Sequence, residues 1–272
     1  MKVLYLALAG GSADHLEHQA AQMQTWAMNS GSNAIVIWMH GDPSIHEPKM
    51  VGNDLYVPVK ETYENLLLKT LTSIAWVLKN IEFDYLIRTN TSNYFFHPLV
   101  VKHLQEQSPN DKVVGGVIAK WRGTIKGVKK NYRYISGAGI FLSFNAAEIL
   151  ASMESKEYEG VPDDVAIGSF LEKKSVKFFK VPRNNITDFK LIWPSPQTRV
   201  KSWKNSHLTV QRMKDIHSIY TKQDFTEIIN FTNLEIERCQ IEKPRRALLL
   251  RLQFRLIKFI LRIQFRKADV TL

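Results

Sequence analysis

The sequence predicts an α/β protein with a mostly parallel central sheet. Three apolar runs of strand length, at 2–9, 34–39 and 84–88, are separated by segments with helical periodicity. The chain of 272 residues is 44% hydrophobic, which is enough to bury a substantial core. Because strands and helices alternate, we expect helices to cover the sheet and ligands to bind at the carboxyl ends of the strands.

The first unit of the chain has a β-α-β pattern. The strand at 2–9 ends in Gly10-Gly11, Ser12 is a candidate N-cap, and the helical pattern runs from 15 to 28. The apolar run at 2–9 is too short to span a bilayer, which takes about 20 residues. It is compatible with a first strand or with a signal peptide, and the lack of a further targeting signature favours the strand.

The rest of the chain continues the alternation. A second helix is predicted at 61–79, ahead of the strand at 84–88, and a loop rich in Lys and Gly is predicted at 120–131. Turn-forming residues dominate from 182 to 207, which indicates an ordered active-site loop or a disordered linker. The remaining predicted elements are strands at 113–119, 139–143 and 176–181 and helices at 145–153 and 164–173.

Charge and cysteine content bear on the partners and the compartment. The formal net charge of +11 and the pI near 9.6 indicate an anionic partner. That partner is nucleic acid, a phosphate-bearing ligand or an acidic membrane surface. Cys239 is the only cysteine, which excludes an intramolecular disulfide and favours a reducing, cytosolic setting.

The segment 245–267 has the pattern of a basic amphipathic helix. Its cations recur every three or four residues, opposite a face of Leu, Ile and Phe. A charge on every turn opposes a spanning helix but suits a helix lying in an anionic membrane interface. A core-packing terminal helix or an oligomer contact is the alternative. We therefore divide the chain into a main α/β domain at 1–208, a helical extension at 209–244 and a membrane-association helix at 245–272.

The strand at 84–88 runs into a small polar cluster and then an aromatic wall. In an α/β protein, this is where ligands are held. The block reads Phe83-Asp84-Tyr85-Leu86-Ile87-Arg88-Thr89-Asn90-Thr91-Ser92-Asn93-Tyr94-Phe95-Phe96. Three further blocks accompany it, namely Glu61 to Thr70 with Trp76, Tyr134-Ile135-Ser136-Gly137-Ala138-Gly139, and Pro162-Asp163-Asp164-Val165.

In this order the four blocks resemble those of the β1,3-glycosyltransferase family, which includes galactosyl-, N-acetylglucosaminyl- and Fringe-type enzymes. The resemblance covers roughly residues 2–208. It implies a GT-A fold, with a Rossmann-like, mostly parallel central sheet flanked by helices. It also implies inverting transfer of a sugar from a nucleotide sugar to a hydroxyl group. The family's donors are mostly UDP-sugars, so a UDP-sugar is the expected donor.

The pair Asp163-Asp164 supplies the candidate base. It follows Pro162 at the start of a predicted helix, where the helix dipole and free amides stabilise carboxylates. A plain helix N-cap has the same pattern. The resemblance to the family's acidic-Asp-Val motif implies that Asp164 is the catalytic base and that Asp163 supports it.

The positions that match the family's Asp-x-Asp element read Asn90-Thr91-Ser92. In GT-A enzymes that element holds a divalent metal on the donor's phosphates, because carboxylate oxygens suit manganese and magnesium. None of the three residues is a carboxylate, so we expect no metal ligands here and a reaction that is metal-independent or weakly metal-assisted. A cation would then neutralise the diphosphate. The candidates are Arg88, Lys120, Arg122, Arg199, Lys201 and Lys204.

The resemblance assigns further residues to the donor pocket. Tyr63, Asn65 and Lys69 belong to the block at 61–70, which matches the family's acidic-x-Tyr-x-Asn-Leu-x-x-Lys-Thr pattern. The resemblance implies that these three side chains contribute polar groups to donor binding. Asn90 and Ser92 are expected to line the same pocket.

Two glycines and one histidine complete the set. Gly137 and Gly139 match a Tyr-x-x-Gly-x-Gly element that lets backbone approach a sugar closely, although a tight turn before a strand has the same pattern. His207 lies in Ser206-His207-Leu208, which resembles a Ser-His-Leu of Fringe-like members whose histidine completes the metal site. A structural or exposed histidine is the alternative.

These patterns predict a divergent, bacterial glycosyltransferase that extends a lipid-linked glycan of a surface polysaccharide or lipopolysaccharide. A basic tail without an N-terminal anchor predicts a cytoplasmic enzyme, peripheral on the inner face of the cell membrane. A sugar-nucleotide-binding protein whose catalysis has decayed is an alternative, because the metal-binding carboxylates are missing. A nucleic-acid-binding protein is another, but so much of the charge lies in the tail that we expect no nucleic-acid partner.

Overall fold

An eight-stranded sheet forms the centre of the structure. The structure is a computed structural model, and it describes residues 1–24, 26–27, 31–95, 97–181, 183–186 and 210–213. Four of the sheet's seven neighbouring strand pairs are parallel. In spatial order the strands are β11 (Lys177–Lys180), β7 (Val113–Gly116), β10 (Ile140–Ser143), β5 (Tyr85–Asn90), β1 (Val3–Leu8), β2 (Ala34–Gly41), β4 (Asp54–Val57) and β3 (Lys49–Val51). The predicted α/β class and mostly parallel sheet are confirmed, and the arrangement is consistent with a GT-A-like fold.

Helices cover both faces of this sheet. They are α1 (Ala13–Met23), α2 (Leu66–Asn80), α3 (His97–Leu104), α4 (Phe144–Ala151) and α5 (Asp163–Lys173). Residues of α2, α4 and α5 pack in one apolar cluster with Leu4 and Leu6. On the opposite face, Gln22 of α1 is hydrogen-bonded to the Trp38 indole, and His97 of α3 is hydrogen-bonded to the Tyr5 hydroxyl.

Strand β1 is the core of the fold, because its side chains are buried on both faces. Leu4 and Leu6 face the aliphatic cluster under α2, α4 and α5. Tyr5 faces an aromatic group, with its ring centroid 5.0 Å from that of Trp26 and 5.2 Å from that of Phe95. A continuous apolar run without alternation is what a central parallel strand requires.

The parallel register brings three strand ends to one edge. Leu8 of β1 is level with Met39 of β2 and with Asn90 of β5. The residues that follow these strands therefore emerge side by side, as is typical of ligand-binding edges in α/β sheets.

Two predicted helices have different bounds in the structure. The first helix begins after the predicted N-cap Ser12, whose hydroxyl accepts a hydrogen bond from His15 N. It ends at Met23 rather than at residue 28. The second is a 3₁₀ turn at Tyr63–Asn65 followed by α2. Glu61 precedes both, because its carboxylate is bonded to the Gly41 amide and to the Lys69 ammonium.

The prediction of a loop at 120–131 is wrong. This stretch belongs to an antiparallel hairpin of β8 (Ile118–Ile125) and β9 (Val128–Ile135). Lys126 and Gly127 join the strands with φ of 49° and 78°, the positive values of a two-residue hairpin turn. Charged and apolar side chains alternate along β8, which is the period of a strand with two different faces.

A three-stranded sheet joins three distant segments, β6 (Asn93–Phe95), β13 (Val210–Met213) and β12 (Arg183–Ile186). Strand β13 falls in the segment 209–244, predicted to be helical, and these four residues are a strand because they pair with β6 and β12. The described residues belong to one compact unit, Met1–Phe189 with Leu208–Thr226. The other predicted domain bounds and the amphipathic helix at 245–267 lie outside the described residues.

In the ranges that the structure describes, every helix is too short or too polar to cross a bilayer.

Helix α5 rests directly on β9 at Gly168. A Cβ built on this glycine would lie 2.5 Å from Tyr134 Cα, which is backbone and has no rotamer by which to move. We therefore expect Gly168→Ala to lower the free energy of unfolding by about 1–3 kcal/mol, despite the better helix propensity of alanine. Urea denaturation measures the change. Gly11→Ala is the control, because a Cβ there meets nothing within 4 Å. Equal stability of the two variants would contradict this packing.

Candidate active site

Three distant segments meet at the edge formed by the ends of β1 and β5. Arg88 comes from β5, Gly137 from the loop after β9, and the pair Asp163 and Asp164 from the first turn of α5. Arg88 Nη2 donates to Asp163 Oδ2 across 75 positions of sequence. Its Nη1 donates to Gly137 O at 2.6 Å, while Gly137 N donates to Asp164 Oδ2 at 3.0 Å. The Arg88 guanidinium and the backbone of Gly137 thus connect the two predicted acidic residues to the central strand.

The Arg88–Asp163 ion pair is buried. Their side chains are 2% and 13% exposed, respectively. Removing two charges from water costs several kcal/mol each, and only close pairing and hydrogen bonds offset that cost. Each residue is therefore needed to balance the buried charge of the other, and the pair fixes the first turn of α5 against β5.

Gly137 is where the site needs a glycine. A Cβ on this residue would lie 2.5 Å from Arg88 Nη1 and 3.4 Å from Asp164 Cβ. The backbone of this loop therefore lies close to the Arg88 side chain. Gly139 is also buried, and its carbonyl oxygen lies 2.5 Å from where a Cβ on Gly116 would fall.

Burial raises the pKa of Asp164 above its ordinary value, and the neighbouring charge of Asp163 adds to the rise. The hydrogen bond from Gly137 N and the positive charge of Arg88 act in the opposite direction but do not cancel it. A carboxylate held in this way has a greater affinity for a proton than an exposed aspartate.

A second ion pair, between the buried Lys69 and the partly exposed Glu61, lies beside the first. The Lys69 side chain is 2% exposed, and its Nζ donates to Ala9 O at 2.8 Å and to Glu61 Oε1 at 2.5 Å. Glu61 Oε2 in turn accepts from Gly41 N at 2.6 Å. Burial lowers the pKa of Lys69, although Glu61 partly restores it. This pair ties α2 to the ends of β1 and β2.

The residues predicted for the donor pocket are only partly brought together. Lys69 lies near enough to Arg88 and Asp163 for their charges to act on its pKa. Its ammonium is engaged by Glu61 and Ala9. Tyr63 is 70% exposed on the 3₁₀ turn. On the same turn, Asn65 Nδ2 donates to Thr62 Oγ1 at 3.1 Å.

The turn at Asn90-Thr91-Ser92 is held by two buried amide side chains. Gln22 Nε2 donates to Thr91 O at 2.7 Å and to Asn93 O at 3.0 Å, while its Oε1 accepts from the Trp38 indole at 2.9 Å. Asn93 Nδ2 donates to Ala138 O at 2.5 Å and to Thr89 Oγ1 at 2.8 Å. This clamp of Gln22 and Asn93 joins the turn to α1, β2 and the glycine loop.

Sequence reasoning did not find this clamp. A polar residue on the inward face of α1 was the available signal for Gln22, and the polar run that continues past Ser92 was the signal for Asn93. Neither signal identifies a partner, because the partners are backbone groups of other segments.

The residues at this turn do not fit a divalent metal. Hard cations prefer carboxylate oxygens, whereas the turn offers one amide and two hydroxyls. Arg88 Nη1 also lies 3.3 Å from Asn90 Oδ1, so a positive charge already occupies the neighbourhood. Among the described residues, no group of three or more His, Cys, Asp or Glu is arranged to hold a metal ion. His207 lies outside the described residues.

A family model of galactosyltransferases matches residues 44–182. The chain belongs to the galactosyltransferase family. The match covers about half of the 272 residues and includes α2, β5, the Gly137 loop and the start of α5. No curated protein matches the chain.

Membership of the galactosyltransferase family confirms the resemblance seen in the sequence at the level of galactosyltransferase-type enzymes. It makes the chain a glycosyltransferase, with a nucleotide sugar as donor and a glycan as acceptor. Arg88, Gly137, Asp163 and Asp164 all lie inside the matched segment, whereas Gln22 lies outside it. The bonded network is therefore largely a feature of the family segment, clamped by a helix that precedes it.

The buried ion pair predicts a large loss of stability when it is broken. Arg88→Met leaves Asp163 buried without its partner, so we expect the free energy of unfolding to fall by about 3–5 kcal/mol. Chemical denaturation checks this. Lys2→Met removes an exposed partner of Glu82 and should change stability by less than about 1 kcal/mol. A small effect of Arg88→Met would show that the pair is not a structural requirement.

The raised pKa of Asp164 predicts a gain of stability when its charge is removed. A raised folded-state pKa means that the stability contribution is present below the unfolded value, near 3.8, and is lost as the pH rises through the folded value. Asp164→Asn should therefore be more stable than the wild type at neutral pH, and the difference should vanish in acid. Thermal melts between pH 3 and pH 8 measure it.

Asp42 offers a control of opposite sign. Hydrogen bonds from Ser44 lower its pKa, so its contribution is present at neutral pH and is lost in acid. Asp42→Asn should lower stability at neutral pH. The same sign for both variants would contradict the assignment for Asp164.

Proposed function

We propose that the chain is an inverting glycosyltransferase in which Asp164 is the general base, moving a sugar from a UDP-sugar to a hydroxyl of a glycan acceptor. The observation that carries the proposal is the Asp164 carboxylate, held by the Gly137 amide beside the Arg88–Asp163 pair and raised in pKa by burial. A general base works best when its pKa lies closer to the working pH than that of an exposed carboxylate.

The reaction needs one proton transfer and one displacement. Asp164 accepts the proton of the acceptor hydroxyl while that oxygen attacks the anomeric carbon of the donor. The bond from the anomeric carbon to the diphosphate oxygen breaks, and its electron pair leaves with the nucleoside diphosphate. Attack opposite the leaving group inverts the anomeric centre.

Asp163 has a supporting part in this scheme. Its negative charge is balanced by Arg88, which also holds the carbonyl of Gly137. Because the N–H of the same glycine donates to Asp164, Arg88 acts on the base through the backbone of one residue, Gly137. Arg88 and Asp163 are therefore positioning residues.

The reaction is proposed to be metal-independent or weakly metal-assisted. The neutral turn at Asn90-Thr91-Ser92 and the adjacent Arg88 support this, since they offer a divalent cation no carboxylate. Cationic side chains would then stabilise the departing diphosphate. Lys120 and Arg122 are exposed on β8, while Arg199, Lys201 and Lys204 lie outside the described residues.

A decayed, sugar-nucleotide-binding protein is the second candidate, and the same neutral turn favours it. It retains donor binding but transfers no sugar and hydrolyses no donor. Turnover that depends on Asp164 separates the two functions.

We further propose that the acceptor is a lipid-linked intermediate of a bacterial surface polysaccharide or lipopolysaccharide, and that the enzyme is peripheral on the cytoplasmic face of the membrane. The sequence of 245–267 motivates this through its basic and apolar faces. Co-sedimentation with anionic vesicles tests it. We expect binding by the full chain and its loss on truncation before Arg245, and equal binding by both would exclude the anchor.

Asp164→Asn should lower donor turnover by about 10²–10⁴-fold, because the general base is lost while the shape of the site is kept. Release of UDP from UDP-galactose, with and without a glycan acceptor, measures turnover. The variant must still bind UDP, which calorimetry confirms. Turnover that survives the substitution would remove Asp164 from the mechanism.

The donor and the metal are tested together by calorimetric titration of nucleotides and nucleotide sugars, each with manganese and with chelator. The expected result is that UDP compounds bind equally well with manganese and with chelator, because the turn at Asn90-Thr91-Ser92 offers a metal no carboxylate. Binding that requires manganese would instead mean that ligands come from outside the described residues. Absence of nucleotide binding in both conditions would contradict the proposed function.

A further inference from the structure

The hairpin of β8 and β9 carries an unusual concentration of positive charge. Its 118–135 segment contains Lys120, Arg122, Lys126, Lys129, Lys130 and Arg133 and no Asp or Glu. Stability does not require such a bias, because like charges close together on a sheet oppose folding.

The register sorts these side chains onto two faces. Lys120 is opposite Arg133, Arg122 is opposite Asn131, and Thr124 is opposite Lys129. Because residues two apart along a strand share a face, these six side chains form one surface, which we call the basic face. It has four cations and two neutral polar groups.

The opposite face of the hairpin is apolar by comparison. Trp121 and Tyr132 are paired there with ring centroids 6.1 Å apart, and Tyr132 belongs to the buried core. The Trp121 ring also covers Gly123, where a Cβ would lie 2.0 Å from it. The aromatic rings therefore pack the hairpin through this face, which also carries Lys130, while four of the six cations lie on the basic face.

The cations of the basic face lack acidic partners in the described part of the chain. Lys126, at the hairpin turn, is paired with Glu157, but the basic face has no such ion pair among the described residues. The Arg133 guanidinium lies 4.4 Å from the centroid of the Phe178 ring. Lys120 and Arg133 stand directly opposite each other, an arrangement that costs stability unless an anion occupies the surface.

The hairpin leads directly into the loop that holds Asp164, the proposed general base. Strand β9 leads through Ser136 into Gly137, whose amide holds Asp164. Gly168 of α5 packs on Tyr134, one residue from Arg133. A ligand on the basic face would therefore lie on β9, the strand that leads into the Gly137 loop and that packs on α5 through its opposite face.

We propose that the basic face binds anionic groups of the acceptor. On this proposal, the acceptor is a glycan chain that carries carboxylate or phosphate groups. The proposal rests on the proposed transferase function and adds the chemical class of its acceptor. Cations two residues apart on a strand are roughly 7 Å apart, and cross-strand neighbours are about 5 Å apart. Such a ladder matches charges repeated along a linear saccharide.

The surface fits a glycan better than a bilayer or a nucleic acid. Side chains that enter a bilayer are apolar or aromatic, and Val128, 55% exposed beside the turn, is the large apolar side chain that the described hairpin exposes. Single-stranded nucleic acids stack on aromatic platforms, but Trp121 and Tyr132 lie on the opposite face.

The test compares two double variants of the full chain that lose the same charge from the same hairpin. Lys120→Gln/Lys129→Gln removes two cations of the basic face. Lys126→Gln/Lys130→Gln removes two cations from the turn and the opposite face. The probes are a fluorescent oligogalacturonide, which has one carboxylate per sugar, and its methyl ester, which has none. Affinities are measured by anisotropy over a range of salt concentrations.

We expect the wild type and the Lys126→Gln/Lys130→Gln variant to bind the acidic oligosaccharide and to ignore the ester. Lys120→Gln/Lys129→Gln should bind the acid about tenfold more weakly, with a shallower dependence on salt because fewer ions are released. Its thermal stability should be equal or higher, since a like-charge contact is relieved. Equal loss in both double variants would mean that total charge, not the basic face, binds the glycan.

Three further results would overturn the assignment. The first is that the wild type binds the methyl ester as well as the acid. The second is that Lys120→Gln/Lys129→Gln loses binding to phosphatidylglycerol vesicles or to a single-stranded RNA to the same extent. The third is that this variant loses affinity for UDP. The last would place these cations on the donor. Failure of the wild type to bind UDP would reject the transferase function, whereas the glycan titrations judge the basic face separately.

Discussion

The buried ion pair between Arg88 and Asp163 is the interaction on which the site depends. It connects the central sheet to α5, and the same guanidinium holds the carbonyl of Gly137. Because a buried charge without a partner is costly, neither residue can be replaced alone without loss of stability. The pair therefore fixes the position of the neighbouring Asp164 through the fold itself.

The charges around Asp164 explain its affinity for a proton. Arg88 is paired with Asp163, and Lys69 is paired with Glu61. These four groups balance, whereas burial raises the pKa of Asp164, and the charge of Asp163 adds to that rise. Desolvation, the main cause of the rise, also excludes the water that would otherwise stabilise its ionised form. A site of this kind is suited to accepting a proton from a substrate hydroxyl.

The turn at Asn90-Thr91-Ser92 differs from the metal-binding element that the resemblance would lead one to expect, yet it is well ordered by other means. Gln22 and Asn93 bind its backbone and join it to the sheet and to the glycine loop. Neutral hydrogen bonds to buried amide side chains thus hold this turn. In the proposed metal-independent reaction, cations of the protein would stabilise the diphosphate.

The sequence by itself determined the fold class, the order of the main elements and the identity of Arg88, Asp163 and Asp164 as candidate residues. These features have local causes, since strand-length apolar runs, caps and short motifs are written in contiguous residues. It missed α3, β3, β4, β6 and β12, and it predicted the hairpin at 118–135 as partly a loop, although its alternation was present. It also placed Glu61 in a helix that begins later.

Only the tertiary structure decided which groups meet. That Arg88 pairs with Asp163, that Gly137 has no Cβ because the Arg88 guanidinium fills that space, and that Gln22 clamps the Asn90 turn all depend on contacts between distant segments. The cross-strand register likewise decided that four cations share the basic face. Spacing along a chain encodes periodicity, whereas pairing, burial and pKa depend on neighbours that only folding brings together.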